Sequence, residues 1–456
     1  MDEEDTICAI STAPGEGGIG IIRISGRDAI RIVADIFRPN KKKLLGSAAT
    51  HTLHFGHIID PATGQILDES LVTIMRAPTT YTREDTVEIN CHGGMMPLTR
   101  TMALLLATGA RQAYPGEFTK RAFLNGRIDL TQAEAVMDII SSKTDVALRA
   151  ANEQLLGGLS KEITDLRDKL ISILASVEAN IDFPEEDIET GTGQSLQHEV
   201  THLHAQISDL LTGFTYGKII REGFATAIVG RPNVGKSSLL NALLKQERAI
   251  VTEIPGTTRD VLEEYVNVMG VPLRILDTAG IRHSNDVVEQ EGVRRSLAAI
   301  ASADLIIIVF DGSQSLMPDD NRVIEETRGK NVIAVINKSD LPRNLGILNW
   351  PEIQIAVSCC VRGGLDNLRR AIVDMVLSRT VAPKEHSWTV NQRHKTALEQ
   401  ANASLEKSLG SILANLSPEF IALDLRDALD RLGLIIGATY TDDILDRIFN
   451  DFCIGK

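Results

Sequence analysis

Apolar and polar residues alternate on three different periods along this chain. Over residues 1–118 the apolar stretches are short and separated by polar or glycine-rich segments. The spacing predicts strands at Thr6-Ile-Cys-Ala-Ile10, Gly20-Ile-Ile-Arg-Ile24, Leu71-Val-Thr-Ile-Met75 and Thr86-Val-Glu-Ile-Asn90, with helices at Asp28 to Phe37 and Leu98 to Thr108. That mixture reads as α/β. From Gly116 to Gly217 the period becomes helical. Thr131-Gln-Ala-Glu-Ala-Val-Met-Asp-Ile-Ile140 runs on into long amphipathic helices through Leu174. Phe183-Pro-Glu-Glu-Asp187 breaks the pattern, Thr190-Gly-Thr-Gly193 reads as a loop, and a further helix follows.

A third pattern then begins. Predominantly apolar runs occur at Phe224–Val229, Val271–Leu276, Leu305–Phe310, Asn331–Ile336 and Ile353–Ala356, as in the buried strands of a doubly covered sheet. Val381-Ala-Pro383 reads as a linker, after which helical spacing resumes. Leu425, Ala428, Leu429 and Leu432 share one face, and so do Ile444, Leu445, Ile448, Phe449 and Phe452. The expected fold is therefore multidomain: an N-terminal α/β domain over 1–118, and a helical domain in two parts, 119–222 and 381–456. An α/β phosphate-loop domain over 223–380 is inserted between those parts. In that topology, movement in the insertion pushes on the helices at both junctions.

Composition narrows the setting. A length of 456 residues is enough for roughly three domains. With 43% apolar and 24% charged residues, the chain is of the ordinary globular class. Its net charge of −14 gives no overall basic footprint, so contact with RNA needs a local patch or a partner. The five cysteines, Cys8, Cys91, Cys359, Cys360 and Cys453, show no paired metal spacing and point to a reducing cytoplasm. The acidic start Met1-Asp-Glu-Glu-Asp5 is unlike a secretory signal, and Leu305–Phe310 is too short to span a bilayer. Gly15-Glu-Gly17-Gly-Ile-Gly20 fits a dinucleotide fingerprint by spacing. A β-rich run follows it where a helix is required, so a glycine loop joining two strands of a ligand site is expected instead.

The chemistry enters with Gly230-Arg-Pro-Asn233-Val234-Gly235-Lys236-Ser237-Ser238, which fills every fixed position of G-x-x-x-x-G-K-[ST] between an apolar strand and a helical run. Its backbone N–H groups and the helix N-terminus suit phosphate, Lys236 suits the β- and γ-phosphates, and the Ser237 hydroxyl suits Mg²⁺. Asp277-Thr278-Ala279-Gly280 follows the second apolar run, where Asp277 reaches Mg²⁺ through water and Gly280 senses the γ-phosphate. Asn337-Lys338-Ser339-Asp340 follows the fourth. The Asp340 carboxylate accepts from guanine N1–H and N2–H₂, which adenine cannot supply, so GTP is expected over ATP. Asn337 and Lys338 brace the base and the phosphate loop, and Val357-Ser358-Cys359 offers backbone to guanine O6.

Two departures from the common GTPase pattern stand out. Ile281, followed by Arg282, occupies the place where a glutamine often positions water. A carboxylate is a substitute, and Asp286, Glu289 and Glu291 are all candidates. The segment Thr252-Glu253-Ile254-Pro255-Gly256-Thr257-Thr258-Arg-Asp260 reads as the first switch, with Thr258 completing the Mg²⁺ shell. Asn233, with oxygens from Thr252, Ile254 and Thr257, suits a potassium ion placed as an arginine finger is elsewhere. Cys453 lies fourth from the end, but a terminal lysine and the lack of nearby basic residues disfavour prenylation. It is read as a frayed thiol or a reactive one.

Gly17-Gly-Ile-Gly-Ile-Ile-Arg-Ile-Ser25, Pro115-Gly-Glu-Phe-Thr-Lys-Arg-Ala-Phe-Leu124, Asp129-Leu-Thr-Gln-Ala-Glu-Ala135, the GTPase set and the terminal Phe-Cys-Ile-Gly-Lys456 give a further reading. On these motifs the chain resembles the MnmE (TrmE) family of tRNA-modification GTPases along its full length. The resemblance implies a homodimer formed through the N-terminal domain and a flavoprotein partner, MnmG (GidA). It implies addition of an aminomethyl or carboxymethylaminomethyl group to C5 of the wobble uridine of certain tRNAs. The one-carbon source it implies is 5-formyltetrahydrofolate or a related tetrahydrofolate, contacted by Arg23, Glu88, Lys456 and Arg127, the last standing where lysine is usual. The family's potassium ligands fall on Asn233, Thr252, Ile254 and Thr257, its catalytic glutamate on Glu289, and a cysteine of modification on Cys453. A ribosome-assembly GTPase is the alternative. It would carry a G-x-x-G module or a basic tail, and neither is evident.

Overall fold

The computed structural model describes residues 5–40, 44–183, 193–246, 264–276, 297–361, 363–378 and 390–456. They form two compact units: one of residues up to Met137 with Gly433–Lys456, the other running from Asp138 to Leu432.

The first unit is built on a seven-stranded sheet. Its strands are β1 (Ile7–Ile10), β2 (Gly17–Ser25), β3 (Phe37–Pro39), β4 (Thr52–Ile59), β5 (Ile66–Met75), β6 (Thr86–Gly93) and β7 (Arg111–Gln112), in the order β3-β4-β5-β6-β2-β1-β7. Pairing is antiparallel except between β1 and β7. Helices α1 (Ala29–Ile36) and α2 (Met95–Ala107) cover one face. Alternation sets which face is which. Ile22 and Ile24 of β2 and Val87 and Ile89 of β6 are buried with Ile32, Val33 and Ile36 of α1 and Leu105 of α2. Each such side chain stabilises the unit by about 1.5–3 kcal/mol. The intervening positions look the other way, so Arg23 and Glu88, directly paired across β2 and β6, lie on the face opposite the helices. Leu53, Phe55 and Leu71 are exposed on that same face, at 59%, 47% and 38%.

The glycine run expected as a loop lies mostly within strand β2, which already begins at Gly17. A Cβ on Gly20 would lie 2.6 Å from Leu98 of α2, so this glycine serves close helix–sheet packing. Strand β4 is a difference from the sequence reading. His54, Gly56 and His57 dilute its alternation, and its sheet partners, not its own composition, make it a strand.

Three helices complete this unit: α3 (Glu117–Leu124), α4 (Leu130–Ser141) and, from the far end of the chain, α14 (Asp442–Phe449). Ala122, Phe123, Leu130, Ala133, Leu445, Phe449 and Phe452 form one core. Lys120 of α3 donates to Asp446 at 2.8 Å.

The second unit combines helices and a second sheet. Before the sheet come α5 (Asp145–Leu155), α6 (Gly158–Asp182), α7 (Gly193–Thr212) and α8 (Phe214–Glu222). The sheet strands are β8 (Phe224–Val229), β9 (Glu264–Val268), β10 (Val271–Leu276), β11 (Leu305–Asp311), β12 (Val332–Asn337) and β13 (Ile353–Ala356), in the order β13-β12-β11-β8-β10-β9. All neighbours are parallel except β9 and β10. Helices α9 (Lys236–Gln246), α10 (Pro318–Thr327) and α11 (Asp366–Leu377) belong to the sheet, and apolar clusters cover both its faces. After it come α12 (Gln392–Leu413) and α13 (Pro418–Ile436). Asn402 of α12 donates to Ser208 of α7 at 3.3 Å, and Arg426 of α13 pairs with Glu178 of α6 at 2.7 Å. Helices from either side of the sheet in sequence thus pack together, and the α/β segment is an insertion between them. The long helical stretch of the sequence is broken where Thr144 caps α5 by accepting from Ala147, and where Gly157 takes a φ of +92°. Among the described residues, no helix is long and apolar enough to cross a membrane.

Candidate functional site

Strand β8 is the pivot of the second sheet, flanked by β11 and β10, and the phosphate loop leaves its C-terminal end. This is the edge where open parallel sheets hold ligands. The loop's curl is visible residue by residue. Gly230 has φ +149°, Asn233 +65° and Gly235 +103°. A Cβ on Gly230 would come within 2.5 Å of the Val309 carbonyl, and one on Gly235 would collide with the side-chain amide of Asn337. Lys236, the first residue of α9, folds back so that Nζ donates to the carbonyls of Gly230 at 2.8 Å and Arg231 at 2.9 Å. Burial holds its ammonium below the ordinary lysine pKa. Ser237 and Ser238 occupy the first turn of α9.

The Asn337–Asp340 segment closes on this loop from β12. Asn337 is 3% exposed, and its Nδ2 donates to the Val234 carbonyl at 2.9 Å. Lys338 donates to Asp311 at 2.6 Å and to the Asn233 carbonyl at 3.4 Å. Asp340 accepts from the Ser358 hydroxyl at 2.6 Å, and that bond holds its carboxyl below the usual range. The Cys359 thiol lies 3.5 Å from Asn337 Oδ1, and the Ser339 N–H donates to the Val357 carbonyl. The structure thus joins Asn233, Val234, Gly235, Lys236, Asn337, Lys338, Asp340, Ser358 and Cys359 in one place. Sequence reading missed Asp311. It is the polar residue that ends the all-apolar strand β11, and its position at the C-terminal end of a parallel strand was the available signal.

Thr252, Glu253, Ile254, Pro255, Gly256, Thr257, Thr258, Asp277, Thr278, Ala279, Gly280 and Glu289 lie outside the described residues, as do Ile281, Arg282, Asp286 and Glu291. Among the described residues, no group of three His, Cys, Asp or Glu side chains is arranged to hold a metal. What is present suits an anion: a helix N-terminus, glycines where a Cβ would obstruct, and a half-buried lysine.

A second constellation lies in the first unit. Arg23 donates to Glu88 through Nε at 2.9 Å and pairs through Nη2 at 2.8 Å, while Nη1 donates to the Gly455 carbonyl at 3.3 Å. The residues after α14 hold this carbonyl in place. Pro115 bridges to Ile454, the N–H groups of Gly116 and Phe118 donate to the carbonyls of Cys453 and Lys456, and the Ser11 hydroxyl donates to Gly455 at 3.2 Å. Gly455 has φ +93°. Burial first, and then the positive charge of Arg23, hold the Lys456 ammonium below its ordinary pKa. The guanidiniums of Arg23 and Arg127 stand 5.8 Å and 4.7 Å from the centre of the Tyr81 ring, and Arg23 is 5.8 Å from that of Phe118. The Tyr81 hydroxyl is fixed by Thr119 at 2.9 Å.

Arg23 and Arg127 therefore flank the half-buried Tyr81, Glu88 is paired with Arg23, Lys456 lies within the electrostatic reach of both Arg23 and Glu88, and the arginine at position 127 presents a planar cation where a lysine would present a point charge. The cluster offers cations for carboxylates, a carboxylate for N–H donors and aromatic faces for a planar ring. Tyr81 and Phe118 were missed from sequence. Cys453 sits in the docked segment with its side chain exposed.

The comparisons with known proteins cover the whole chain. The model of the GTP-binding protein TrmE N-terminus matches residues 6–127, and the MnmE helical domain model matches residues 130–453. The tRNA modification GTPase MnmE of Geobacillus thermodenitrificans is 49% identical over 462 residues, covering 100% of both chains. Its namesake in Enterococcus faecalis is 48% identical over 460 residues, covering 100% of this chain and 99% of its own. Among solved structures, the G domain of the T. maritima FeoB iron transporter matches 33% of this chain and 98% of its own, at 23% identity and a TM-score of 0.23. With two family models side by side and nearly half of its residues shared end to end with these relatives, the chain belongs to the MnmE family of tRNA modification GTPases.

Proposed function

We propose that this protein is a potassium-activated GTPase acting in tRNA modification. With the flavoprotein MnmG, it adds an aminomethyl or carboxymethylaminomethyl group to C5 of the wobble uridine of certain tRNAs, using a tetrahydrofolate one-carbon unit. The observation that carries the GTPase reading is the stitching of the phosphate loop to the base-recognition loop, through Asn337 to Val234 and Lys338 to Asn233.

In this reading Lys236 leaves its loop carbonyls for the β- and γ-phosphates, and Asp340, oriented by Ser358, accepts from the guanine edge. The Glu289 carboxylate orients the attacking water. Mg²⁺, held through Ser237 and Thr258, and K⁺, held through Asn233, Thr252, Ile254 and Thr257, supply positive charge against the developing phosphate charge. Arg23, Arg127 and Lys456 would supply cations for the carboxylates of the folate derivative, Glu88 would accept from its ring N–H groups, and Tyr81 would offer an aromatic face. The exposed Leu53, Phe55 and Leu71 on the open sheet face support a homodimer formed through the N-terminal domain. With a net charge of −14, tRNA is held mainly within the complex with the partner. The cytoplasm is the compartment where that substrate and free thiols coexist.

Nucleoside analysis of bulk tRNA from a deletion strain tests the function. The C5 modification of the wobble uridine should disappear; its persistence returns the reading to ribosome assembly. A turnover assay tests the catalytic assignments. GTP hydrolysis should be about 100-fold faster in K⁺ than in Na⁺. Glu289→Ala should lower kcat by roughly the same factor while leaving nucleotide affinity intact. Equal rates in the two salts, or an undiminished kcat, remove the corresponding group.

A further inference from the structure

We propose that Asp311 is a positioning residue for GTP binding, holding the Lys338 ammonium over the phosphate loop at Asn233. The inference rests on the reading of this site as a guanine-nucleotide site. Asp311 closes strand β11, in which every residue is buried, and is itself 3% exposed. A carboxylate in such a place needs partners on both oxygens. Oδ1 accepts from the N–H of Ser313 at 3.0 Å and its hydroxyl at 2.6 Å. Oδ2 accepts from Lys338 Nζ at 2.6 Å. Burial opposes the charge of Asp311, but the bonds from Lys338 and Ser313 outweigh it and keep the carboxyl below the usual range.

Lys338 is held at both ends. Its backbone sits at φ +61°, in the left-handed region, directly after Asn337. Its ammonium bridges the Asp311 carboxylate and the Asn233 carbonyl, 2.6 and 3.4 Å away. Two adjacent loop carbonyls, Asn233 and Val234, are thus gripped by two adjacent residues of the base-recognition motif, Lys338 and Asn337. Without an anchor, a four-carbon lysine side chain loses its rotamer freedom when nucleotide binds. With Asp311 in place that freedom is already gone. The contribution therefore belongs to binding common to the ground and transition states, and its loss falls on Kd and KM rather than on kcat.

Asp311→Asn is the informative variant. The amide oxygen still accepts from Ser313, while Nδ2 cannot accept from Lys338. Fluorescent-GDP titration should show affinity about tenfold weaker, and KM for GTP should rise by a similar factor. The same change in a Lys338→Met background should alter affinity by no more than about twofold, because the partner is already gone. An unchanged Kd overturns the proposal, and so does an equal loss in both backgrounds, which marks a purely structural role. Asp340→Asn tests the underlying reading separately. An amide at 340 can donate to the C2 carbonyl of xanthine, so preference should move from guanine to xanthine nucleotides. If it does not move, the base-site reading fails. If it moves while Asp311→Asn binds GDP normally, only the positioning role falls.

Discussion

Replacing Gly235 by alanine is expected to weaken GTP binding by roughly 100-fold or more. Two costs combine. The residue holds φ +103°, where an L side chain is strained by about 1–3 kcal/mol. Its new methyl would also collide with the Asn337 side-chain amide. That amide cannot simply turn away, because its Nδ2 is the donor to the Val234 carbonyl and the residue is buried. Displacing it leaves a buried carbonyl unpaired, at about 1–3 kcal/mol, and moves Lys338 and Asp340 with it. Fluorescent-GDP titration reads the result, with a circular dichroism melt to establish that the variant folds. A folded variant with wild-type affinity would show that the loop accommodates the methyl by another route.

Gly455→Val should have the second largest effect, in the other unit. At φ +93° a β-branched residue is a conformational outlier, and its Cβ would stand 2.6 Å from the Ile10 carbonyl and 2.9 Å from Ser11 Cα. The segment then leaves strands β1 and β2. Arg23 and Ser11 lose the Gly455 carbonyl, and Lys456 leaves the neighbourhood of Arg23 and Glu88. Calorimetry with 5-formyltetrahydrofolate should show affinity at least roughly tenfold weaker, with GDP affinity unaltered. If folate binding is normal in this variant, the docked segment is not part of the ligand site.

These two sites differed greatly in how far they could be read from sequence. The phosphate loop and the Asn337–Asp340 motif are local: each needs a fixed spacing within one turn or loop, and the apolar strand before each is fully buried. The same locality made the strands of the second sheet easy to place. The Arg23 cluster is the opposite case. Arg23 and Glu88 meet only because β2 pairs with β6 across 65 residues, and each alone is an ordinary charge in an alternating strand. Family resemblance picked out those positions, but Tyr81 and Phe118, whose rings organise the two guanidiniums, had no such flag. Asp311 escaped for a related reason. Its partner Lys338 is 27 residues away, and the strand that brings them together reads as hydrophobic core. Strand β4 was hidden because histidines and a glycine interrupt the period that would announce it.

The docking of residues 452–456 onto β1 and β2 also has a meaning in time. The Arg23 guanidinium and the Gly455 carbonyl it holds are separated by 432 positions. A ribosome adding about 5–20 residues per second needs on the order of tens of seconds to cover that interval. Throughout it the first strands exist without the segment that completes them. The Arg23 cluster is therefore the last part of its unit to be assembled on a nascent chain, and a polypeptide released before Gly455 lacks the carbonyl that Arg23 and Ser11 hold, however well its sheet has folded.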